Sequence, residues 1–175
     1  MTDAVAAFAG AEPHREEGTT GSYLESRGRG FSEWLLTTDH KRIAILYAIM
    51  VTAFFVIGGA AAVLMRLELA SPTPTFLTDD GYNRVFTLHG VIMVWFFLVP
   101  LIPTTLGNFL LPLMIGAPDV AFPKLNLASW YLTTIGGLFV LGAALMGGVD
   151  TGWTFYPPYS TGYSHTNVPI AVTGG

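Results

Sequence analysis

Three long apolar stretches, separated by short polar segments, dominate the chain after its first 42 residues. Residues 43–65 and 125–149 contain no charged side chain, and His89 is the only ionisable group within residues 85–115. Since about 20 apolar residues suffice for a helix to cross a bilayer core, the pattern predicts three transmembrane helices. Prolines in the second stretch predict kinks, because proline lacks the backbone N–H of a helical residue. They are Pro100, Pro103 and Pro112.

Small residues recur inside the first and third stretches. Residues 58–62 read GGAAA, and Gly136, Gly137 and Gly142 lie in the third stretch. Small side chains let helix backbones approach closely in lipid. We therefore expect these helices to pack against one another or against further helices.

The two ends of the chain differ from the apolar stretches. Residues 1–37 predict a polar tail, in which FSEWLL at 31–36 forms a short interfacial helix with Trp34 at headgroup level. Residues 167–175 resemble the first turns of a fourth apolar span. The predicted fold is therefore an all-α integral membrane protein, with residues 38–175 forming three transmembrane helices and the start of a fourth from a larger bundle. Candidate N-caps of the first span are Thr37, Thr38 and Asp39.

Composition supports the membrane assignment. The chain is 51% hydrophobic and 11% charged, whereas a soluble domain carries about 25% charged residues. This argues against a soluble globular domain and excludes a disordered acidic tail and a basic nucleic-acid module. Cysteine is absent, which excludes a disulfide scaffold, a thiolate metal site and a cysteine nucleophile within these residues.

Basic residues predict the orientation. If the N-terminal segment and the second loop share one side, that side holds six Lys and Arg residues, against Arg66 and Arg84 on the other. The positive-inside rule then places the N-terminus in the cytoplasm and residues 150–166 outside.

His89 is the first candidate for chemistry. A neutral imidazole is a good ligand for haem iron or copper, and an ionisable group inside a span indicates function by default. A polar contact between helices is the other interpretation, and spacing leaves both open. Neighbouring apolar side chains would suit a macrocycle or a helix contact equally. They are Phe86, Ile92, Met93 and Phe96.

Four further polar groups have structural and functional interpretations side by side. Arg66 either reaches the headgroups, paired with Glu68, or donates to an oxygen of a buried cofactor. Asn108, Asp119 and Asn126 are each typical helix contacts or turn residues, but together they would line a proton path. The aromatic segment after Asp150 is typical of an interface belt. We interpret the remaining histidines as surface or interfacial residues: His14, His40 and His165.

Several segments together resemble one family. They read TDHKRIA at 38–44, LMRLEL at 64–69, YNRVFTLH at 82–89, GNFLLPLMIGAPDVAFPKLN at 107–126 and TGWTFYPP at 151–158. Over residues 38–168 the chain resembles the N-terminal third of subunit I of the haem–copper oxygen reductases, with the A-type cytochrome c oxidases most similar.

The resemblance implies roles for individual residues. It makes His89 an axial ligand of the low-spin haem iron, and Arg66 the donor to the formyl group of that haem, which would be of type A. Tyr82 and Trp153 would approach haem propionates. The resemblance also places Asp119 at the mouth of a proton channel. Two asparagines would lie just inside that channel, namely Asn108 and Asn126.

The resemblance further implies an activity and partners. The subunit would pass electrons through the low-spin haem to a high-spin haem and copper B, where dioxygen becomes water while protons are pumped. The ligands of that second centre would lie beyond Gly175, so this chain alone would be inactive. Implied partners are the remainder of subunit I, subunit II with a copper site, subunit III, and cytochrome c or a fused cytochrome domain. The implied location is the bacterial cytoplasmic membrane.

Two other readings remain open from the sequence. One is a quinol-oxidising member of the same family, since the donor depends on subunit II. The other is a three-span structural or assembly protein without a cofactor. Leu127 also departs from the family pattern, which often has a second asparagine there, so the channel lining would differ locally.

Overall fold

A computed structural model describes residues 30–73 and 75–175. The predicted tail up to residue 29, including His14, lies outside the described residues. The helices are α1 (Phe31–Leu35), α2 (His40–Glu68), α3 (Asp79–Ile115), α4 (Pro123–Leu145) and α5 (Val168–Gly174). The short α1 belongs to a unit separate from residues 36–175, and its interfacial placement stays a prediction.

Helix α2 begins where its capping signal predicts. Asp39 is the N-cap, and its carboxylate accepts a hydrogen bond from the backbone N–H of Lys41 at 2.9 Å. This bond satisfies one of the donors that a helix start leaves free. The helix then runs 29 residues, longer than the uncharged stretch that predicted it.

Helix α3 shows how a long span accommodates its prolines. Its middle contains two π-helical segments, Ile92–Leu98 and Leu101–Leu106, on either side of Pro100. Proline removes one N–H and its ring displaces the carbonyl four residues earlier, and a wider turn accommodates both effects. The helix ends at Gly116, whose left-handed φ of 67° suits glycine.

Helix α2 packs against both α3 and α4, and side chains from all three form the core. The rings of Phe54 on α2 and Phe96 on α3 lie 5.0 Å apart. Glycine allows α4 to pack closely on α2, since a Cβ on Gly137 would collide with the ring of Phe54. The core residues are Ile43, Tyr47, Met50, Val51, Phe54, Val91, Ile92, Phe96 and Val140.

The three long helices are each long and apolar enough to cross a membrane. Helix α5 packs on α4 through close backbone contact between Gly136 and Gly174. The predicted fold class is confirmed: the described residues form helices without strands, and three of those helices are membrane spans. The predicted packing through small residues is confirmed as well.

Candidate functional site

The candidate functional residues and their contacts gather at two separate places along α2 and α3. We call the first the His89 end; it comprises Gly58, Thr87, His89, Gly90 and Trp153. On α3, His89 and Asn108 are 19 residues apart, or about 28 Å along an ideal α-helix. We call the second the Asp119 end, and its residues are His40, Asn108, Asp119 and Asn126.

At the His89 end, the imidazole is held by the backbone of α2. Its Nδ1 lies 2.9 Å from the carbonyl oxygen of Gly58. Because a carbonyl only accepts, Nδ1 carries the proton, and in the neutral ring Nε2 keeps its lone pair. This is the arrangement in which a histidine ligates a metal through one nitrogen while the other is fixed by an outer partner.

Gly58 makes this contact possible. A Cβ there would lie 2.8 Å from Sδ of Met93 and 3.0 Å from Cγ2 of Ile92, so any larger residue would force Met93 or the helices to shift. The carbonyl of Gly58 is therefore within reach of His89 because residue 58 has no side chain. The sequence analysis missed this role, although the pair of glycines at 58 and 59 signalled a close approach.

The apolar side chains near His89 differ in their burial. Ile92 and Phe96 are buried in the core between helices, whereas Phe86 is half exposed. Two of the four side chains considered for a macrocycle wall are thus helix contacts. Phe86 remains available to a neighbouring group.

The segment after α4 docks on the same turn of α3. Trp153 lies directly over Gly90, where a Cβ would be 2.9 Å from Cδ1 of the indole. The backbone N–H of Gly152 donates to the hydroxyl of Thr87 at 2.9 Å. The structure therefore brings Trp153 beside the helical turn that carries His89. Thr87 and Gly90 were not found by sequence reasoning.

Arg66 and Tyr82 lie on the loop side of this site. Arg66 is exposed, eight residues after Gly58 on α2, and Tyr82 is half buried, seven residues before His89 on α3. Seven residues make nearly two helical turns, so Tyr82 and His89 share a face of α3.

The predicted pairing of Arg66 with Glu68 is not observed. The Glu68 carboxylate instead accepts hydrogen bonds from the backbone N–H groups of Thr75, Phe76 and Leu77 at 2.8–3.2 Å. These donors lie in the loop that leads into α3, so Glu68 organises that loop.

At the Asp119 end, a buried histidine meets the candidate channel aspartate. Nδ1 of His40 lies 2.9 Å from Oδ1 of Asp119, and His40 is only 4% exposed. Of the two interpretations of His40, surface or interfacial, the surface one is therefore wrong. The start of α2 lies next to the segment after α3, and this places His40 against Asp119. His165 is exposed, as predicted.

The side chains of Asn108 and Asn126 are joined by two reciprocal hydrogen bonds. Nδ2 of Asn108 donates to Oδ1 of Asn126 at 3.1 Å, and Nδ2 of Asn126 donates back at 2.9 Å. Hydrogen bonds continue from the Asn126 carbonyl to the Ser129 hydroxyl and on to the Tyr47 hydroxyl, at 2.7 and 2.8 Å. The hydroxyls of Ser129 and Tyr47 thus extend the polar contacts of this end toward the core.

Within residues 30–73 and 75–175, no group of three His, Asp or Glu side chains could hold a metal ion. A metal held by the described part of the chain would therefore need ligands from elsewhere. A macrocycle that supplies four nitrogens, with one imidazole from this chain, meets that condition.

Comparison with known proteins decides the family. Residues 42–174 match the profile of the family described as "Cytochrome C and Quinol oxidase polypeptide I". The chain belongs to this subunit I family. It is 44% identical over 136 residues to "Cytochrome c oxidase subunit 1" of Corynebacterium efficiens, which covers 75% of this chain and 23% of that protein.

Two other relatives agree. The chain is 46% identical over 130 residues to "Probable cytochrome c oxidase subunit 1-alpha" of Streptomyces avermitilis, with 73% of this chain and 22% of the relative covered. It is 44% identical over 122 residues to "Cytochrome c oxidase subunit 1" of Synechocystis, with 70% and 22% covered. The matched region spans less than a quarter of each subunit I relative.

Proposed function

We propose that this chain forms part of subunit I of a respiratory terminal oxidase, in which His89 is an axial ligand of a low-spin haem iron. The full subunit would reduce dioxygen to water at a high-spin haem and copper B, and would pump protons. One observation carries the proposal: the Gly58 carbonyl fixes the proton on Nδ1 of His89 and leaves Nε2 free to ligate. Family membership supports the class of reaction.

The residues around His89 fit a haem. When bound, a haem supplies a reversible one-electron iron couple at the point where His89 ligates. We assign Arg66 to the formyl oxygen of a type-A haem, because a guanidinium is a fixed cationic donor. Tyr82 and Trp153 are assigned to propionates, since both carry a polar hydrogen on an aromatic ring.

The Asp119 end is assigned to proton uptake. Asp119 is exposed at its side chain and is oriented by His40, so it can exchange protons with water. Behind it we place the asparagine pair as hydrogen-bonding groups inside the channel. In the described part of the chain, the buried hydroxyl of Thr105 has no protein partner, and it lies one helical turn before Asn108. We assign an internal water to this orphaned hydroxyl, as a proton path requires.

The assembly follows from the family. Because the matched region is a minor part of the relatives, we propose that the remainder of subunit I, subunit II with its copper site and subunit III complete the enzyme. Cytochrome c or a fused cytochrome domain is the proposed electron donor. The family description names quinol too, but all three relatives described above carry the name cytochrome c oxidase, which favours cytochrome c.

The proposed location is the bacterial cytoplasmic membrane, with the N-terminus in the cytoplasm. The three relatives come from bacteria, and the basic residues favour this orientation.

The test is a reduced-minus-oxidised spectrum of the complete complex carrying His89→Ala. We expect loss of the low-spin haem band. His165→Ala is the matched control, because His165 is an exposed histidine of the same chain, and its spectrum should equal that of the unmodified complex. A low-spin band that survives His89→Ala would contradict the assignment. A complex without any haem band would favour the structural or assembly reading.

A further inference from the structure

The hydroxyl of Thr87 joins two parts of the molecule. It donates to the carbonyl of Asn83 on its own helix at 2.8 Å and accepts from the N–H of Gly152 at 2.9 Å. Thr87 is 1% exposed, so both bonds are shielded from water. Since the hydroxyl has one hydrogen and that hydrogen goes to Asn83, its lone pairs face Gly152. The geometry is satisfied only by this assignment of donor and acceptor.

A second contact lies one turn further along. Trp153 sits against Gly90, and residues 87 and 90 share a face of α3 because they are three apart. Gly152 has a left-handed φ of 76°, which glycine adopts without strain and which turns the chain so that both contacts form together.

Asp150, at the start of the same segment, is hydrogen-bonded to residues at its far end. Its carboxylate accepts hydrogen bonds from the hydroxyls of Ser164 at 2.7 Å, Thr166 at 2.9 Å and Tyr159 at 3.1 Å. We call residues 150–166 the clasp. Because Asp150 ties its two ends together and Thr87 holds it to α3, the clasp moves with that helix.

Helix α3 is thus held on two sides within a single turn. His89 reaches across to Gly58 on α2, whereas Thr87 and Gly90 hold the clasp. A displacement of the clasp would therefore shift the turn that aims the imidazole.

We propose that Thr87 is a positioning residue that fixes the clasp to the His89 turn, so that Trp153 and the His89 imidazole keep one spatial relation. The proposal rests on the proposed function, in which both residues face haem groups. In this proposal Thr87 itself contacts neither haem nor substrate. It acts through the backbone of Gly152.

The experiment compares Thr87→Val and Thr87→Ser in the complete complex. Valine has the shape of threonine without the hydroxyl, and serine restores the hydroxyl. Thr52→Val is the matched control, because Thr52 makes the same bond to the carbonyl four residues earlier, at 2.7 Å, but faces outward. Two readouts are followed: amide hydrogen exchange of residues 151–156, and the midpoint potential and band position of the low-spin haem.

We expect Thr87→Val to speed exchange at the Gly152 amide by about 2- to 10-fold, the range that corresponds to the net loss of one hydrogen bond. The low-spin potential and band should shift with it. Thr87→Ser and Thr52→Val should leave both readouts at the original values. A faster-exchanging clasp with an unchanged haem potential would overturn the positioning role.

If the complex with Thr87→Val fails to assemble, a measurement on the unmodified complex still tests the proposal. The Gly152 amide should exchange at least about 10-fold more slowly than the amide of exposed His165 in the same clasp, for which the structure shows no hydrogen bond within the described residues. Equal exchange would overturn the proposal. Failure of the proposed function appears differently, as a low-spin band that does not depend on His89, while amide exchange still reports whether the clasp is held.

Discussion

The His89 end and the Asp119 end hold their polar groups in opposite ways. At the His89 end, backbone groups do the holding: the Gly58 carbonyl fixes the imidazole, and the Gly152 N–H binds Thr87. At the Asp119 end, side chains bind side chains across elements, with His40 on Asp119 and Asn108 on Asn126, while backbone groups add local bonds such as that from the Val120 N–H to Asp119. A backbone partner cannot rotate away, which suits a ligand that must keep one geometry. Side-chain partners can exchange donor and acceptor roles, which suits a path for protons.

The largest expected effect tests the Asp119 end as a proton path. Asp119→Asn keeps the shape of the side chain but removes the exchangeable carboxyl, so we expect turnover to fall on the order of 10- to 100-fold and pumping to be lost. Oxygen consumption and proton release by the complex in vesicles measure both. Asp80→Asn is the control, since Asp80 is an exposed aspartate at the start of α3. Normal pumping by Asp119→Asn would refute the assignment.

The next effect tests the backbone hold on His89. Gly58→Ala places a Cβ 2.8 Å from Sδ of Met93, so the helices must separate or Met93 must move. We expect a loss of about 1–3 kcal/mol of stability and a broadened low-spin band. Gly142→Ala is the matched control, because a Cβ at Gly142 on α4 meets nothing within 4 Å. Thermal unfolding and the visible spectrum report the two effects, and equal behaviour of the two variants would rule out the close approach.

The asparagine pair separates structural from conducting roles. Asn108→Leu alone leaves Asn126 unsatisfied, which should cost about 1–3 kcal/mol of stability. Adding Asn126→Leu removes the orphan, so stability should partly return while proton uptake stays impaired. A double-mutant cycle on unfolding, with uptake rates beside it, makes the comparison. Additive losses of stability would mean that the reciprocal bonds contribute little.

The smallest expected effect is a loss of amide protection in the clasp at low pH. Burial opposes ionisation of Asp150, but hydrogen bonds from Ser164, Thr166 and Tyr159 outweigh it and lower the pKa of the carboxyl. A lowered pKa in the folded state means that the stabilisation is present above the ordinary value of 3.8 and is lost as pH falls below it. Amide protection of the clasp, corrected for intrinsic exchange, should therefore decline below about pH 4. Asp150→Asn should show no such decline, and an identical decline would exclude Asp150 as its cause.

Much of the fold could be predicted because membrane helices obey a simple composition rule. The three spans and the packing through glycine followed from apolar length and residue size, and Asp39 was one of three candidate caps suggested by side-chain chemistry. The helix ends could not be placed as well, since α3 begins at Asp79, six residues before the uncharged stretch. The π-helical turns beside Pro100 depend on local carbonyl geometry, which a sequence pattern does not show.

The residues of the site could be predicted better than the contacts that they make. His89 stood out because an ionisable group in a span is rare, but its partner is a backbone carbonyl 31 residues away, which no side-chain pattern marks. His40 was misread because its neighbour Asp119 is 79 residues away, and only the packing of α2 beside the end of α3 brings them together. Thr87 was missed for the same reason, since its partner is the backbone of a distant loop.

The most direct test of the central claim restores the ligand from solution. His89→Gly in the complete complex would leave a space beside Gly58 large enough for free imidazole. We expect the variant to lose the low-spin haem band and to regain it on addition of imidazole, because the ring supplies the missing nitrogen. His165→Gly should be insensitive to imidazole. A low-spin band in His89→Gly without imidazole would contradict the claim that His89 ligates the iron.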